Sequence, residues 1–531
     1  MHGLFGAWVF VSRVGYSKKI ALTHFKLAEV PVMKKWLAIG WLLLVLPLTA
    51  TAQQIPVKTV PVATGNQFMI FPSQNMSMGG VSIALDDPLY DAFVNPAKGI
   101  SIQGVRFAGT PSYYGISMRD DFLDDASSTR TLPVGMLVRQ GTLFGGAVMA
   151  WQEMTKQDNT PCCFPQNAWL SSPVRQERSS TTRNNVYAFA MGGAQLPGTN
   201  LSVGMSAFTA DLNGLEGVRL LYSDGNRVDQ DGKMSSFRLG LFQQWDDGRS
   251  AELTVQRHRF KMDHEMTQWV WDDVRQESVL ATRIEQDETN GWAVLAGFQQ
   301  PLNNGWRLGA RLVGDWKDHP KIPNYDLMQI PRDPGNTSAY NIGLGLARTI
   351  GQTTWGFDLI YEPIWSHTWA DAIEDTPFEP IGGGDETGFV PAGEMTVENF
   401  FRFNNSIFRL GVRQAGDRFD FGLGLDLHLY RYQLDQKDFV QRFKRELDES
   451  WGEWTLSLGL GYTFTGFQLR YLSLLTLGTG RPGIDFGGAR NVTADMAALE
   501  SSFVVAPAGP LALQDARVWT HQLSLLIPIA D

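Results

Sequence analysis

The chain has 531 residues, a formal net charge of −10, 54 Gly, 17 Trp and two Cys. The acidic balance argues against nucleic acid as a partner, and no apolar run of roughly 18 residues follows position 52, which argues against a helical membrane protein. A chain rich in Gly and Trp suits one large barrel with loops, Gly for close packing and Trp for membrane interfaces.

Residues 1–52 read as export information rather than fold. Met33-Lys34-Lys35 is a basic start, Leu37 to Leu48 is an apolar run of signal-peptide length, and Ala50-Thr51-Ala52 is a small-residue cleavage site. The reading is a signal peptide over 33–52, cut between Ala52 and Gln53, behind an upstream extension over 1–32 from a misplaced start codon.

Residues 53–104 lack strand alternation. They carry Met78-Gly79-Gly80, then Asp86-Asp87, then Asn95-Pro96-Ala97. Gly79-Gly80 admits backbone conformations closed to other residues, and Asn95-Pro96 stops a helix and sets a turn. Val81, Ile83, Leu85 and Phe93 supply a short apolar element. In order and spacing these motifs resemble the N-terminal plug of the FadL family of outer-membrane transporters, and the opening of the related PorV-like proteins of type IX secretion. The resemblance covers about thirty residues. It implies a plug or hatch inside a barrel lumen.

From Val105 the chain alternates apolar and polar residues in segments joined by short turns and long polar loops in turn. Gln140-Gly141, Leu196-Pro197-Gly198, Asp246-Asp247-Gly248, Asn303-Asn304-Gly305, Gly351, Gly416-Asp417 and Thr465-Gly466 are the turns. The long loops include 153–184, 211–234, 261–288, 317–338, 364–397, 433–451 and 477–516. Period two puts Phe419, Phe421, Leu423, Leu425, Leu427 and Leu429 on one face, and Asp420, Gly422, Gly424, Asp426, His428 and Tyr430 on the other. The segments match an inclined membrane crossing in length, and aromatics gather at their ends. The expected fold is all-β: a transmembrane antiparallel β-barrel of 14–16 strands over 105–531, its apolar face on lipid, with the plug of 53–104 in its lumen. The expected location is the bacterial outer membrane. The polar faces predict a lumen network of Glu252, Arg307, Arg311, Asp358, Asp420, Asp426 and His428, with Arg409 and Arg413 beside it. Any greasy pocket would draw on Trp269, Val270, Trp271, Ile364, Trp365 and Trp369.

No catalytic constellation stands out. Six His follow the signal, among them His258, His264, His428 and His521, and none has a signature context. Asp263-His264-Glu265 lacks the second His of a zinc helix, and Asp120-Asp121 with Asp124-Asp125 lacks the spacing of an EF-hand. Gly382-Gly383-Gly384 has no Lys-Ser/Thr after it. Cys162-Cys163, adjacent in a loop, reads as a local staple or free thiols. No metal, cofactor or enzymatic activity is expected. With the barrel, the resemblance implies transport of hydrophobic small molecules, long-chain-fatty-acid-like, with membrane lipids around it. The alternatives are a PorV-like secretion or scaffold component that binds protein partners at its extracellular loops, and an outer-membrane hydrolase.

Overall fold

A computed structural model describes residues 54–60, 63–119, 124–161, 176–216, 227–272, 275, 277–319, 334–378, 380, 387–479 and 516–530. The segments 1–52, Asp120-Asp121, Cys162-Cys163 and Gly382-Gly383-Gly384 lie outside them. Seventeen ladder segments form one antiparallel sheet that closes on itself. Val105–Gly109 and Ser112–Arg119 pair with the same two neighbours, so they are one strand interrupted at Thr110-Pro111. Seventeen segments less one give a barrel of sixteen strands, the upper end of the expected range.

In chain order the first strand, β1, is that interrupted pair. It is followed by β2 (Asp124–Gln140), β3 (Leu143–Pro161), β4 (Gln176–Gln195), β5 (Leu201–Leu212) and β6 (Arg227–Gln244). Next come β7 (Ser250–Asp272), β8 (Glu277–Pro301), β9 (Trp306–Asp318), β10 (Gly335–Ile350) and β11 (Thr353–Asp371). The ring ends with β12 (Met395–Ala415), β13 (Phe419–Asp438), β14 (Phe443–Thr463), β15 (Gln468–Thr479) and β16 (Ala516–Ala530). Each strand pairs with its sequence neighbours, and β16 returns to β1.

Two expectations need correction. The polar stretches 261–288 and 433–451 are not long loops. β7 and β8 stay paired out to Asp272 opposite Glu277, and β13 and β14 out to Asp438 opposite Phe443. Past the membrane the ladder still satisfies backbone N–H and C=O groups, so a polar ribbon continues as strand where composition alone suggests loop. Asp124 and Asp125 begin β2 for the same reason and do not sit in a loop.

The barrel is inside-out relative to a soluble protein. Leu312, Leu344, Leu423, Leu456 and Leu458 are exposed, whereas Gln152, Thr254, Asp315, Asp358 and Gln522 are buried. Trp316 and Trp355 are exposed toward the ends of their strands, and Trp151 and Trp454 are exposed in mid-strand. Such an apolar exterior suits hydrocarbon, and closure leaves no unpaired edge within it. Among the described residues no helix is long and apolar enough to cross a membrane.

Residues 54–104, the arm, contact the buried face of the ring. The arm holds a 3-10 turn at Asn75–Met78, a single helical turn at Asp91–Val94 and a 3-10 turn at Pro96–Ser101. Asn95 ends the helical turn and its side-chain oxygen accepts from the Ala97 N–H at 3.1 Å, so Asn-Pro-Ala works as a stop and a start in three residues. Gly79 and Gly80 take φ of 71° and 76°, the left-handed region that favours glycine.

Candidate functional site

The arm sits on strand glycines. A Cβ on Gly204 or Gly240 would strike Pro96 or Asn95; one on Gly309 or Gly345 would strike Ile83. On Gly411, Gly422 and Gly459 it would strike Met78 or Ser77. Glycine weakens a strand interior, and here the lost side chains make room for a second backbone.

Polar contacts then fix the arm. The Ser82 and Ile83 N–H groups donate to Asp358 Oδ2 at 2.8 and 3.2 Å. Gly79 N–H donates to Ser457 Oγ at 2.8 Å, and Asn95 Nδ2 donates to Glu252 at 3.2 Å. The Arg311 guanidinium donates to the Ser82 hydroxyl and carbonyl. Near its start, Ile55 N–H donates to Asp315 at 2.7 Å, Lys317 donates to the Ile55 carbonyl, and Lys58 pairs with Glu453 at 2.5 Å.

The acidic pair divides its work. Asp87 is buried within the arm and accepts from Ser73 Oγ (2.6 Å) and from the N–H groups of Gln74 (2.7 Å), Asn75 (3.0 Å) and Leu89 (3.1 Å). Asp86 faces the barrel and pairs with Arg307 at 2.7 Å. The Lys98 ammonium lies 3.0 Å from Asp91 and 3.7 Å from both Asp86 and Glu252. Burial lifts the Asp91 carboxyl to about 6 against the pull of Lys98. Burial alone would lower Lys98, but Asp91, Glu252 and Asp86 outweigh it and hold the ammonium above its ordinary value.

Each residue expected in the lumen network lies beside the arm or pairs with a neighbour there. Arg413 and Asp420 form a two-pronged pair at 2.7–3.1 Å, joined by Arg470 at 3.1 Å. Asp426 stands between Arg409 (3.5 Å) and His428 (3.1 Å). Arg409, Asp426 and His428, with Glu252 and Arg311, line a cavity of about 370 Å³ that also reaches Ser73, Gly80 and Lys98. A second cavity, about 450 Å³, opens at the short-turn rim between Asp86, Leu302, Arg307 and Arg413. Asn75 lines both, so the Asn75–Met78 turn stands between them.

The loop-side interior holds an apolar cluster that is already occupied. Phe401, Phe403, Tyr432, Leu434 and Trp451 pack around Ile55, with Val57 against them. Of the residues expected to make an open greasy pocket, Ile364 is in this cluster and Trp365 is exposed, pointing to the opposite face of β11. The side chains of Trp269, Val270 and Trp271 lie outside the described residues.

One feature had a sequence signal that alternation hides. Pro111 interrupts β1, and Pro133 stands opposite Thr110 on β2, so two ladder N–H groups are missing at one level, while Thr110 N–H still donates to the Pro133 carbonyl at 3.0 Å and Leu523 N–H to the Pro111 carbonyl at 2.9 Å. Outside, a notch of about 420 Å³ opens there among Pro111, Tyr113, Leu132, Trp151, Tyr471 and His521. Inside, the arm covers it: Thr110 Oγ1 donates to the Ile70 carbonyl at 3.2 Å, and Gln522 Nε2 to the Phe71 carbonyl at 3.3 Å.

The fold and its two faces define an outer-membrane β-barrel whose N-terminal arm rests on the inner wall. Solved structures with a similar fold include a FadL homologue from Pseudomonas aeruginosa, 11% identical, with 86% of this chain and 99% of that one covered at a TM-score of 0.42. The toluene transporter TodX of Pseudomonas putida is 10% identical, with 85% and 96% covered at 0.34. CdiB from Acinetobacter baumannii is 9% identical, with 90% and 74% covered at 0.34. No family model matches the chain, and no curated protein does. The architecture stands on the barrel's own hydrogen-bonded ladder.

Proposed function

We propose that this protein carries hydrophobic small molecules across the bacterial outer membrane, with the arm of residues 53–104 as a displaceable hatch. The observation that carries the reading is the thinned ladder at Thr110-Pro111, where two N–H groups are missing, a notch opens outside, and the arm's Ile70 and Phe71 carbonyls lie across it inside. Withdrawal of the arm's first stretch frees two things at once. It vacates the aromatic cluster around Ile55, and it uncovers the thinned stretch of wall, where a sideways exit into hydrocarbon requires the parting of the remaining Thr110–Pro133 and Leu523–Pro111 backbone bonds. A molecule leaving there never crosses the charged turn-side half of the lumen.

Within the hydrophobic class, an uncharged molecule suits the interior better than a fatty-acid anion. The lumen ammonium and guanidinium groups of Lys58, Lys98, Lys317, Arg307, Arg409 and Arg413 each already face a carboxylate. A carboxylate substrate at any of these six would displace the resident carboxylate and leave it buried without a counter-charge, and Arg311 and Arg238 are engaged by the arm's Ser82 and Phe93 carbonyls.

The test is uptake of a radiolabelled alkylbenzene by cells making the protein, with Cys162 and Cys163 replaced by Ser. In an Ile70→Cys/Thr110→Cys variant, oxidation pins the arm over the break. Uptake is expected to fall to the background of cells lacking the protein and to return with reductant. Uptake that is the same oxidised and reduced, with the crosslink verified, sinks the hatch.

A further inference from the structure

The wall holds Ile55 by its backbone and its side chain together. Its N–H donates to Asp315 Oδ2 at 2.7 Å, and the Lys317 ammonium donates to its carbonyl. Its side chain is buried in the cluster of Phe401, Phe403, Tyr432, Leu434 and Trp451. Asp315 and Lys317 share the inward face of β9 and pair with each other at 3.2 Å. Together they present an acceptor and a donor to one unit: an N–H and a C=O joined through a single branched carbon. Gln54 and Pro56 on either side are exposed, so the berth takes one such unit and leaves both of its ends free.

The berth is built into the wall, and the arm does not saturate it. In register Asp315 lies between Ala293 on β8 and Ala339 on β10, and Lys317 between Gly291 and Thr337. The small side chains beside the carboxylate leave room for a second backbone. Asp315 is fully buried, yet its Oδ1 has no hydrogen-bond partner among the described residues. A buried acceptor left unused is costly, and it marks this polar end as only partly filled by the arm.

We propose that Asp315, Lys317 and the aromatic cluster are a binding site for an uncharged N-acyl α-amino amide or ester with a branched aliphatic side chain, and that Ile55 is its built-in competitor. The ligand's N–H donates to Asp315, its carbonyl accepts from Lys317, and its side chain replaces that of Ile55 among the aromatic rings. The Asp315–Lys317 pair stays intact through the exchange, so no buried charge loses its partner. The proposal rests on the transport reading for its purpose and names the class of hydrophobic molecule selected; binding is measured separately from transport.

The probe is tritiated N-butanoyl-L-isoleucine methylamide, bound at equilibrium to the full-length protein in lipid nanodiscs, with empty nanodiscs as the blank. Heat-modifiable gel migration establishes that each variant is folded. The analogue methylated on the isoleucine nitrogen, which lacks that N–H, is expected to bind about 10-fold more weakly, the effect of one hydrogen bond to a charged group. Asp315→Leu/Lys317→Met, which removes the pair together and strands neither charge, erases that difference. Ile55→Ala weakens the competitor and tightens probe binding about 10-fold or more. Hydrogen exchange at residues 54–60 rises when the probe is added to the parent. Equal binding of the two analogues by the parent, affinity unchanged in Ile55→Ala, or exchange at 54–60 unmoved by bound probe overturns the site. The expected binding in a protein with no alkylbenzene uptake leaves the site standing and removes transport; uptake without saturable probe binding removes the site alone.

Discussion

Gly424 on β13 and Gly79 in the arm meet backbone to backbone: a Cβ at Gly424 would fall 2.0 Å from the Gly79 nitrogen. Neither side can retreat cheaply, because Gly79 is in the left-handed region and its own Cβ would stand 2.6 Å from the Leu425 carbonyl oxygen. Gly424→Val is therefore expected to lift the arm off this sill at a cost of about 1–3 kcal/mol. Hydrogen exchange of residues 76–84 should rise while the barrel keeps its heat-modifiable migration. Gly466→Ala, at a turn with open space around it, should be silent.

That contact shows which part of the molecule a single sequence can disclose. Alternation along Phe419–Tyr430 is a property of one strand, so period two reveals both the lipid face and the polar face. Tight turns such as Asn303-Asn304-Gly305 mark one rim because positive φ demands those residues: Asn304 has φ of 60° and Gly305 of 75°. Why Gly204, Gly309, Gly411 and Gly424 are glycine is a different matter, since each answers to an arm residue far away in sequence. Asp86 and Asp87 look alike as letters, yet one pairs with the barrel and the other organises the arm. The wall break was written locally in Pro111 and Pro133, but their opposition exists only once β1 and β2 are in register.

Asp358 is the strongest single grip on the middle of the arm, with one carboxylate oxygen accepting from two successive N–H groups. Asp358→Ala leaves both donors buried without an acceptor and is expected to cost about 1–3 kcal/mol locally. Asp358→Asn keeps one oxygen and should lose less. The readout is exchange at the Ser82 and Ile83 amides; equal protection in both variants and the parent would show that the arm is held elsewhere.

The cluster at Lys98 gives the arm a pH dependence whose sign follows from Asp91. Its folded value of about 6 exceeds the unfolded 3.8, so its contribution is whole below about 4 and is lost as pH rises through 6. Lys98 stays charged across that window. Arm protection in 86–98 should thus decline from pH 4 to 7 in the parent and flatten in Asp91→Asn. Lys98→Met, which takes the ammonium from Asp91 and Glu252 while Asp86 keeps Arg307, should weaken the arm by about 3–5 kcal/mol. Adding Asp91→Asn to it should recover part of that loss.

The outward face makes the last demand. Leu423 and Leu458 are exposed and oppose one another across β13 and β14. In water, an exposed leucine exchanged for arginine would change stability little. In hydrocarbon at mid-depth, the same exchange costs about 2–4 kcal/mol, and less near the interfaces. Leu458→Arg is therefore expected to destabilise the barrel in lipid by that amount, measured by reversible unfolding in denaturant. Lys444→Leu, on the ribbon of β14 beyond the belt where Lys444 is exposed beside Glu446 and Asp435, should leave it unchanged. Were both substitutions neutral, the leucines would not meet lipid.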